Sequence, residues 1–281
     1  TALPDPFRGL EYLPEPDYAR PLRGLTPRIG DRVRRRLSLL YGEEASEPIA
    51  RHVDRIVRVH DAHATPEIRA TESAFEARER FTEKDAVLIT YGDLVVSEGR
   101  SPLATLSDFA DVFFRGLVTT IHVLPFFPSS SDRGFSVISY EEVDPRLGSW
   151  EEIARLGRGF RLMFDGVFNH VSSKSRRFQK FLAGDPEYQR FFRVFSSREE
   201  IDDDRLRLVL RPRTSDLLNE FATVDGPRWL WTTFSRDQVD LNFRSPKTLL
   251  EVLEILLYYV RRGADLVRLD AVTYIWHELG T

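Results

Sequence analysis

Phe160-Arg-Leu-Met-Phe-Asp165 and Ala264-Asp-Leu-Val-Arg-Leu-Asp270 decide the architecture of this chain. Each is a short apolar run that ends on an aspartate, and each follows an amphipathic stretch stopped by glycine, Gly157 before the first and Gly263 before the second. A carboxylate at the end of a buried strand is costly unless it is paired or used. Working outward, Ala86–Tyr91 (AVLITY) and Leu117–Leu124 (LVTTIHVL) have the same strand character. Between the runs lie helical periods. Ser107 is expected to cap a helix with Phe109, Val112 and Phe113 facing inward and Gly116 ending it. Ser149 and Glu152 form an S-x-x-E capping box. Ser245-Pro246 opens a helix whose expected buried stripe is Leu249, Leu250, Leu253, Leu256, Leu257 and Val260.

Short apolar strands alternating with amphipathic helices argue for a parallel sheet covered on both faces. An open doubly wound sheet and part of a (β/α)8 barrel both fit. No phosphate-binding glycine loop follows the first strand, since Tyr91-Gly92-Asp93 is not G-x-G-x-x-G. Asp165, Asn169, His170 and Asp270 instead gather at strand C-termini, where a barrel carries its functional groups. The expected fold class is therefore α/β, a (β/α)8 TIM barrel of which the first four β/α units are present. A small subdomain is inserted after strand three, and a helical extension precedes the barrel.

The expected partition is residues 1–84 for the helical N-terminal extension, 85–184 for the first part of the barrel, 185–234 for the inserted subdomain and 235–281 for the barrel through strand four. Thr1–Gly30 is Pro-rich and aperiodic. Helices are expected over Asp31–Leu40, from Pro48 to about His60 behind a Ser46 cap, and from Pro66 to Ala77. Glu187–Phe234 is irregular and too long for a structureless loop, which is the reason for reading an inserted unit there. Trp229 and Trp231, two apart, are expected in its core, and Asp202-Asp203-Asp204 at a solvated turn.

Composition excludes several classes. Of 281 residues 42% are hydrophobic, and 40 basic residues meet 44 acidic ones, so the chain is globular and lacks the footprint of a non-specific nucleic-acid binder. It has no cysteine, which removes disulfides and thiolate chemistry. No apolar run reaches the roughly 18 residues of a membrane span. The expected location is the cytoplasm. His122 reads as a core histidine. His52, His60 and His63 have no carboxylate at ligand spacing, so no metal site is expected.

Arg268 and Asp270 are two apart on one strand and so share a face. An arginine beside a carboxylate lowers its pKa and keeps it ionised, as a nucleophile requires. A purely structural Arg–Asp pair is the competing reading of so short a motif. Asp165-Gly-Val-Phe-Asn169-His170 on the preceding strand favours the functional one.

These two motifs resemble the first and second conserved regions of the α-amylase superfamily of retaining glycosidases and transglycosidases. Pro125–Ile153 (PFFPSSSDRGFSVISYEEVDPRLGSWEEI), Thr232–Phe243 (TTFSRDQVDLNF) and Val267–Thr281 (VRLDAVTYIWHELGT) are similar to its sucrose phosphorylase branch. The extension before Lys84 resembles branch members that act on glucosylglycerate or sucrose 6′-phosphate. The resemblance implies Asp270 as nucleophile and Arg268 as its charge partner. It further implies His170 and Asp132 as groups gripping a glucose, and Phe135 and Tyr274 as aromatic walls of that pocket. Phe234 and Gln238 would face the leaving sugar, and Arg213 would bind acceptor or phosphate. Asp165 and Asn169 are expected to hold the strand end and the histidine.

The implied activity is that of a retaining α-glucoside phosphorylase, with glucosylglycerate ahead of sucrose or sucrose 6′-phosphate as donor. No cofactor is implied, inorganic phosphate being a co-substrate. The expected partners are carbohydrate and phosphate, without nucleic acid or membrane, and a homodimer is compatible with the sequence. A glucosidase, a transglucosidase or an inactive carbohydrate-binding fragment are the alternatives. A retaining reaction needs two carboxyl groups roughly 5–5.5 Å apart. The resemblance places the acid/base Glu after a fifth strand and a stabilising Asp after a seventh. Neither falls within Thr1–Thr281, so the expectation is a piece of a longer enzyme, inactive by itself.

Overall fold

The computed structural model describes residues 15–76 and 80–280. In chain order its helices and strands begin with α1 (Pro27–Tyr41), α2 (Glu43–His63), α3 (Pro66–Ala74), β1 (Val87–Thr90), α4 (Pro102–Phe113), β2 (Thr120–Val123), α5 (Trp150–Leu156) and β3 (Arg161–Gly166). There follow β4 (His170–Ser172), α6 (Arg176–Leu182), β5 (Val194–Phe195), α7 (Asp203–Arg207), β6 (Leu218–Thr223), β7 (Gly226–Trp231), β8 (Gln238–Asp240), α8 (Pro246–Arg261) and β9 (Leu266–Leu269). Short 3-10 turns occupy Asp132–Gly134, Arg198–Glu200 and Val272–Tyr274.

Thr26 caps α1 by accepting the Ile29 N–H, with Pro27 in the first turn. A single residue, Gly42, separates α1 from α2; its φ of 86° lets the chain reverse while its N–H closes on the Ser38 carbonyl at 2.9 Å. The expected start of α2 behind Ser46 is corrected. Ser46 and Pro48 lie inside the helix, with the Ser46 hydroxyl donating to the Glu43 carbonyl at 2.8 Å. Near the helix start, Glu43 and Glu44 favour the positive end of the dipole and offset the bond lost at Pro48. α3 is capped by Thr65 and ends at Ala74; Ala77, its expected end, lies outside the described residues, as does much of the Pro-rich start.

A second correction concerns His60. Its Nε2 stands 2.9 Å from Glu72 Oε1, a carboxylate that the α2–α3 turn brings back from twelve residues on, and its Nδ1 is 3.3 Å from Arg261 of α8. With the Arg55–Glu254 pair at 3.2 Å, this fastens α2 to α8.

The main sheet has the order β1-β2-β3-β9, with β1 on β2 and β2 on β3 both parallel. Ile121 and Val123 of β2 are fully buried, as is Phe164 of β3. Ser101, not Ser107, caps α4, accepting the Ala104 N–H. Pro102 fixes the first turn there, so the buried positions become Leu103, Leu106 and Ala110, while Val112 and Phe113 are exposed. The α5 capping box forms as read, Ser149 and Glu152 each bonding the other's backbone. In α8 the expected leucine stripe is only half-buried. The deepest face is Thr248, Glu251, Val252, Ile255, Tyr258 and Tyr259, turned toward the aromatic rings of Trp150 and Phe164.

Two smaller antiparallel sheets complete the structure. β4 pairs with β8, His170 opposite Asp240 and Ser172 opposite Gln238. β5-β7-β6 form the other. Trp231 of β7 is buried with Phe195, Ile201, Leu217 and Leu218, with Trp229 half-buried against them. Asp202 caps α7. The chain divides into two compact units. One holds Thr1–Val123, Arg146–Phe164 and Leu250–Val267, and the other holds Leu124–Pro145, Asp165–Leu249 and Arg268–Thr281.

Candidate active site

Every candidate site residue named from the sequence resemblance falls in the second unit. β3 and β9 deliver Asp165 and Asp270 side by side, the Asp270 N–H donating to the Gly166 carbonyl at 3.1 Å. Arg268 bridges the two carboxylates, with Nη1 on Asp165 and Nη2 2.9 Å from Asp270 Oδ1. Asp165 is wholly buried, so this bridge is what makes its charge tolerable there. The same guanidinium lies 5.7 Å over the Phe135 ring. Burial works against the Arg268 charge, but the two carboxylates outweigh it and raise its pKa.

Asp270 departs from expectation. Burial raises its pKa, and the Asp165 and Asp132 carboxylates add to that, so Arg268 opposes the rise without reversing it. Arg268 therefore restrains an upward shift rather than imposing a downward one.

His170 opens β4 and is buried. Its Nε2 is 2.9 Å from the Phe135 carbonyl, and its Nδ1 is 3.2 Å from Asn169 Nδ2. The tautomer consistent with both has the proton on Nε2, inferred from the hydrogen-bond network. Burial pushes the ring down to about 4, against the opposing influence of that carbonyl and of Asp132, so the ring is neutral near pH 7. Asn169 also donates to Asp240 at 3.1 Å, in agreement with its reading as the support of the histidine.

Gln238 begins β8 opposite Ser172. Its amide nitrogen donates to Asp132 Oδ2 at 3.1 Å and to the Phe135 carbonyl at 3.3 Å, and lies 3.1 Å from His170 Nε2. Gln238 is itself buried. Phe234 packs between His170, at 5.1 Å, and Tyr274, at 5.6 Å. Arg213 reaches Asp132 at 3.8 Å, both side chains being exposed. Asp132, Phe135, His170, Arg213, Phe234, Gln238, Arg268, Asp270 and Tyr274 thus form one connected set. It presents carboxylates, a neutral imidazole, aromatic faces and guanidinium groups, which suits a polyhydroxylated ligand with an anionic group nearby.

Two aspartates of this unit escaped the sequence reading. Asp240, wholly buried, accepts the Thr233 N–H at 2.8 Å, the Thr233 hydroxyl at 2.6 Å and Asn169. Burial raises it to about 7 despite those bonds and the nearby Arg211. Asp237 accepts hydroxyls from Ser130, Ser131, Ser136 and Ser173. The only sequence signal for either is an acidic residue within Gln-Val-Asp alternation after an Arg-Asp turn. Among the described residues no group of three His, Asp or Glu side chains is arranged to hold a metal, and no helix is long and apolar enough to cross a membrane.

Residues 115–280 match the α-amylase catalytic domain. A glucosylglycerate phosphorylase of Allomeiothermus silvanus is 45% identical over 263 residues, covering 92% of this chain and 44% of that protein. A glucosylglycerate phosphorylase of Escherichia coli is 43% identical over 205 residues, 73% of this chain and 36% of that protein. Among solved structures, sucrose 6F-phosphate phosphorylase from Thermoanaerobacter thermosaccharolyticum superposes with a TM-score of 0.65 at 32% identity, covering 73% of this chain and 43% of that one. The chain spans less than half the length of these relatives. The sheet is of α/β type with parallel pairing and matches part of a TIM barrel. From the catalytic-domain match and relatives of this identity, the chain belongs to the α-amylase family.

Proposed function

We propose that these residues are part of a retaining α-glucoside phosphorylase acting on glucosylglycerate. The observation that carries the reading is the Arg268–Asp270 pair joined through Phe135 to His170, Gln238 and Asp132, in a chain whose relatives at 43–45% identity are glucosylglycerate phosphorylases. Asp270 attacks C1 of the glucosyl unit, the bond to the aglycone oxygen breaks as that oxygen takes a proton from the second carboxyl group of the reaction, and a β-glucosyl ester of Asp270 forms. Inorganic phosphate, returning a proton to that second carboxyl group, then attacks the same carbon, releasing α-glucose 1-phosphate and regenerating the carboxylate. Arg268 limits the rise that burial imposes on the Asp270 pKa. Neutral His170 and the Asp132 side chain bind glucose hydroxyls between the Phe135 and Tyr274 rings. Phe234 and Gln238 border the leaving group, and Arg213 offers a guanidinium to glycerate or phosphate.

In this reading the strands β1, β2, β3 and β9 are the first four of a (β/α)8 barrel. Residues 1–84 are a helical extension, 85–184 and 235–281 barrel, and 185–234 an inserted subdomain. The protein works in the cytoplasm without cofactor, with carbohydrate and phosphate as its partners. The second carboxyl group of the reaction lies outside these 281 residues, so the chain by itself is proposed to be inactive.

In the complete enzyme, Asp270→Asn is expected to cut phosphate-dependent release of α-glucose 1-phosphate from glucosylglycerate by about a thousandfold or more. Near-parental turnover would reject Asp270. Sucrose or sucrose 6′-phosphate as the better donor would move the protein toward the relatives at 32% identity. Cleavage independent of phosphate would make it a hydrolase or transglucosidase.

A further inference from the structure

We propose that Asp237 is a positioning residue, a carboxylate that holds the Asp132 turn in the conformation the site uses. The proposal rests on the functional reading above for what Asp132 does, and on geometry for how it is held. Asp132, Arg133 and Gly134 have φ values of 53°, 48° and 105°, three consecutive left-handed residues of which two carry a Cβ. Each such non-glycine residue costs about 1–2 kcal/mol, and a strained turn persists only where its surroundings over-determine it.

Asp237 supplies that restraint from both sides of the turn. Ahead of it, the Ser130 and Ser131 hydroxyls both lie 2.5 Å from Asp237 Oδ2; behind it, the Ser136 hydroxyl lies 2.9 Å from the same oxygen. The other carboxylate oxygen accepts the Ser173 hydroxyl at 2.5 Å, and the Ser173 N–H donates to the Asp237 carbonyl at 2.8 Å. The clamp is therefore anchored next to β4, which begins at His170. Three serine hydroxyls from a seven-residue loop share one acceptor oxygen. That arrangement suits an ionised carboxylate, since a protonated one would bring its own hydrogen into the cluster. The hydrogen bonds outweigh burial and hold Asp237 below its ordinary pKa.

Asp237 acts on Asp132, Phe135 and His170 through the loop. With the carboxylate removed, the serines lose their common acceptor. Asp132 can then relax out of the left-handed region, away from Gln238 Nε2 at 3.1 Å.

The test compares Asp237→Ala and Ser131→Ala with the parent, in the complete enzyme, by amide hydrogen exchange and by phosphorolysis kinetics. Asp237→Ala is expected to speed exchange in residues 129–137 selectively and to raise the donor KM about tenfold, roughly one hydrogen bond's worth, with kcat nearly unchanged. Ser131→Ala removes one donor and keeps the carboxylate with its other three serines; about threefold in KM is expected, and it serves if Asp237→Ala fails to fold. Unchanged exchange in 129–137 overturns the proposal, as does a loss of kcat in step with a general loss of stability. If the parent shows no phosphorolysis, the functional reading fails, and exchange alone decides: a rise confined to 129–137 supports the clamp and a uniform rise overturns it.

Discussion

Replacing Asp240 by asparagine should convert a pH-sensitive fold into a less sensitive one. Asp240 is wholly buried, and burial lifts its pKa from the ordinary 3.8 to about 7. A group raised in the folded state stabilises below its unfolded pKa, and that contribution is lost as pH rises through the folded value. Between pH 5 and pH 8 the unfolded carboxyl loses almost no further protons, while the folded one ionises only above 7. The difference in bound protons over that interval corresponds to roughly 2 pH units, or about 3 kcal/mol at ~1.4 kcal/mol per unit. Asparagine does not ionise. It presents a second donor where Asp240 accepts three hydrogen bonds, so at pH 5 the variant should be less stable by about 1–3 kcal/mol. On moving to pH 8 the stability of the variant relative to wild type should shift in its favour by about 3 kcal/mol. Urea denaturation of both proteins at closely spaced pH values measures this directly. Parallel stability curves across pH 5–8 would show that Asp240 is not protonated near neutrality and refute the argument.

Other outcomes follow from the same geometry. Arg268→Met should destabilise by about 3 kcal/mol because it removes the guanidinium paired with the wholly buried Asp165, and adding Asp165→Asn should recover most of the loss; a single variant with wild-type stability would contradict the bridge. Gly134→Ala should cost about 2 kcal/mol or more, since its φ is 105° and a Cβ would sit 2.5 Å from the Pro125 carbonyl oxygen, so a wild-type denaturation midpoint would count against the turn described. The His170 ring signals should stay constant by NMR from pH 8 to 5.5, because burial holds its pKa at about 4; a midpoint near 6.5 would show an accessible ring. With the folded pKa lowered, this histidine's contribution to stability is complete above 6.5 and is lost as pH falls toward 4.

The strand-end groups were legible because they are local. Asp165, His170, Arg268 and Asp270 each follow an apolar run, and period two alone sets Arg268 beside Asp270. The α5 capping box is equally local, needing only Ser149 and Glu152. Failures came where a choice between neighbours mattered: Ser101 and Ser107 are both plausible caps, and Pro102 decides between them by fixing the first turn. The leucines of α8 outnumber its buried positions, so hydrophobicity alone could not choose the deepest face. Asp237 was illegible because its serines on the Asp132 turn stand 101 to 107 positions away. Whether Asp270 ionises easily depends on burial set against Arg268, a balance that no dipeptide spacing encodes.

The three-stranded β5-β7-β6 sheet does more than fill space. Trp231 of β7 stacks on His277 with ring centroids 4.5 Å apart, and Leu279 packs on the same apolar cluster. His277 and Leu279, downstream of Asp270, are thereby clipped to the three-stranded sheet. Tyr274 hangs from that clip through its carbonyl contact with His277, 3.1 Å away. Remodelling the β5-β7-β6 sheet is therefore expected to shift Tyr274 as well.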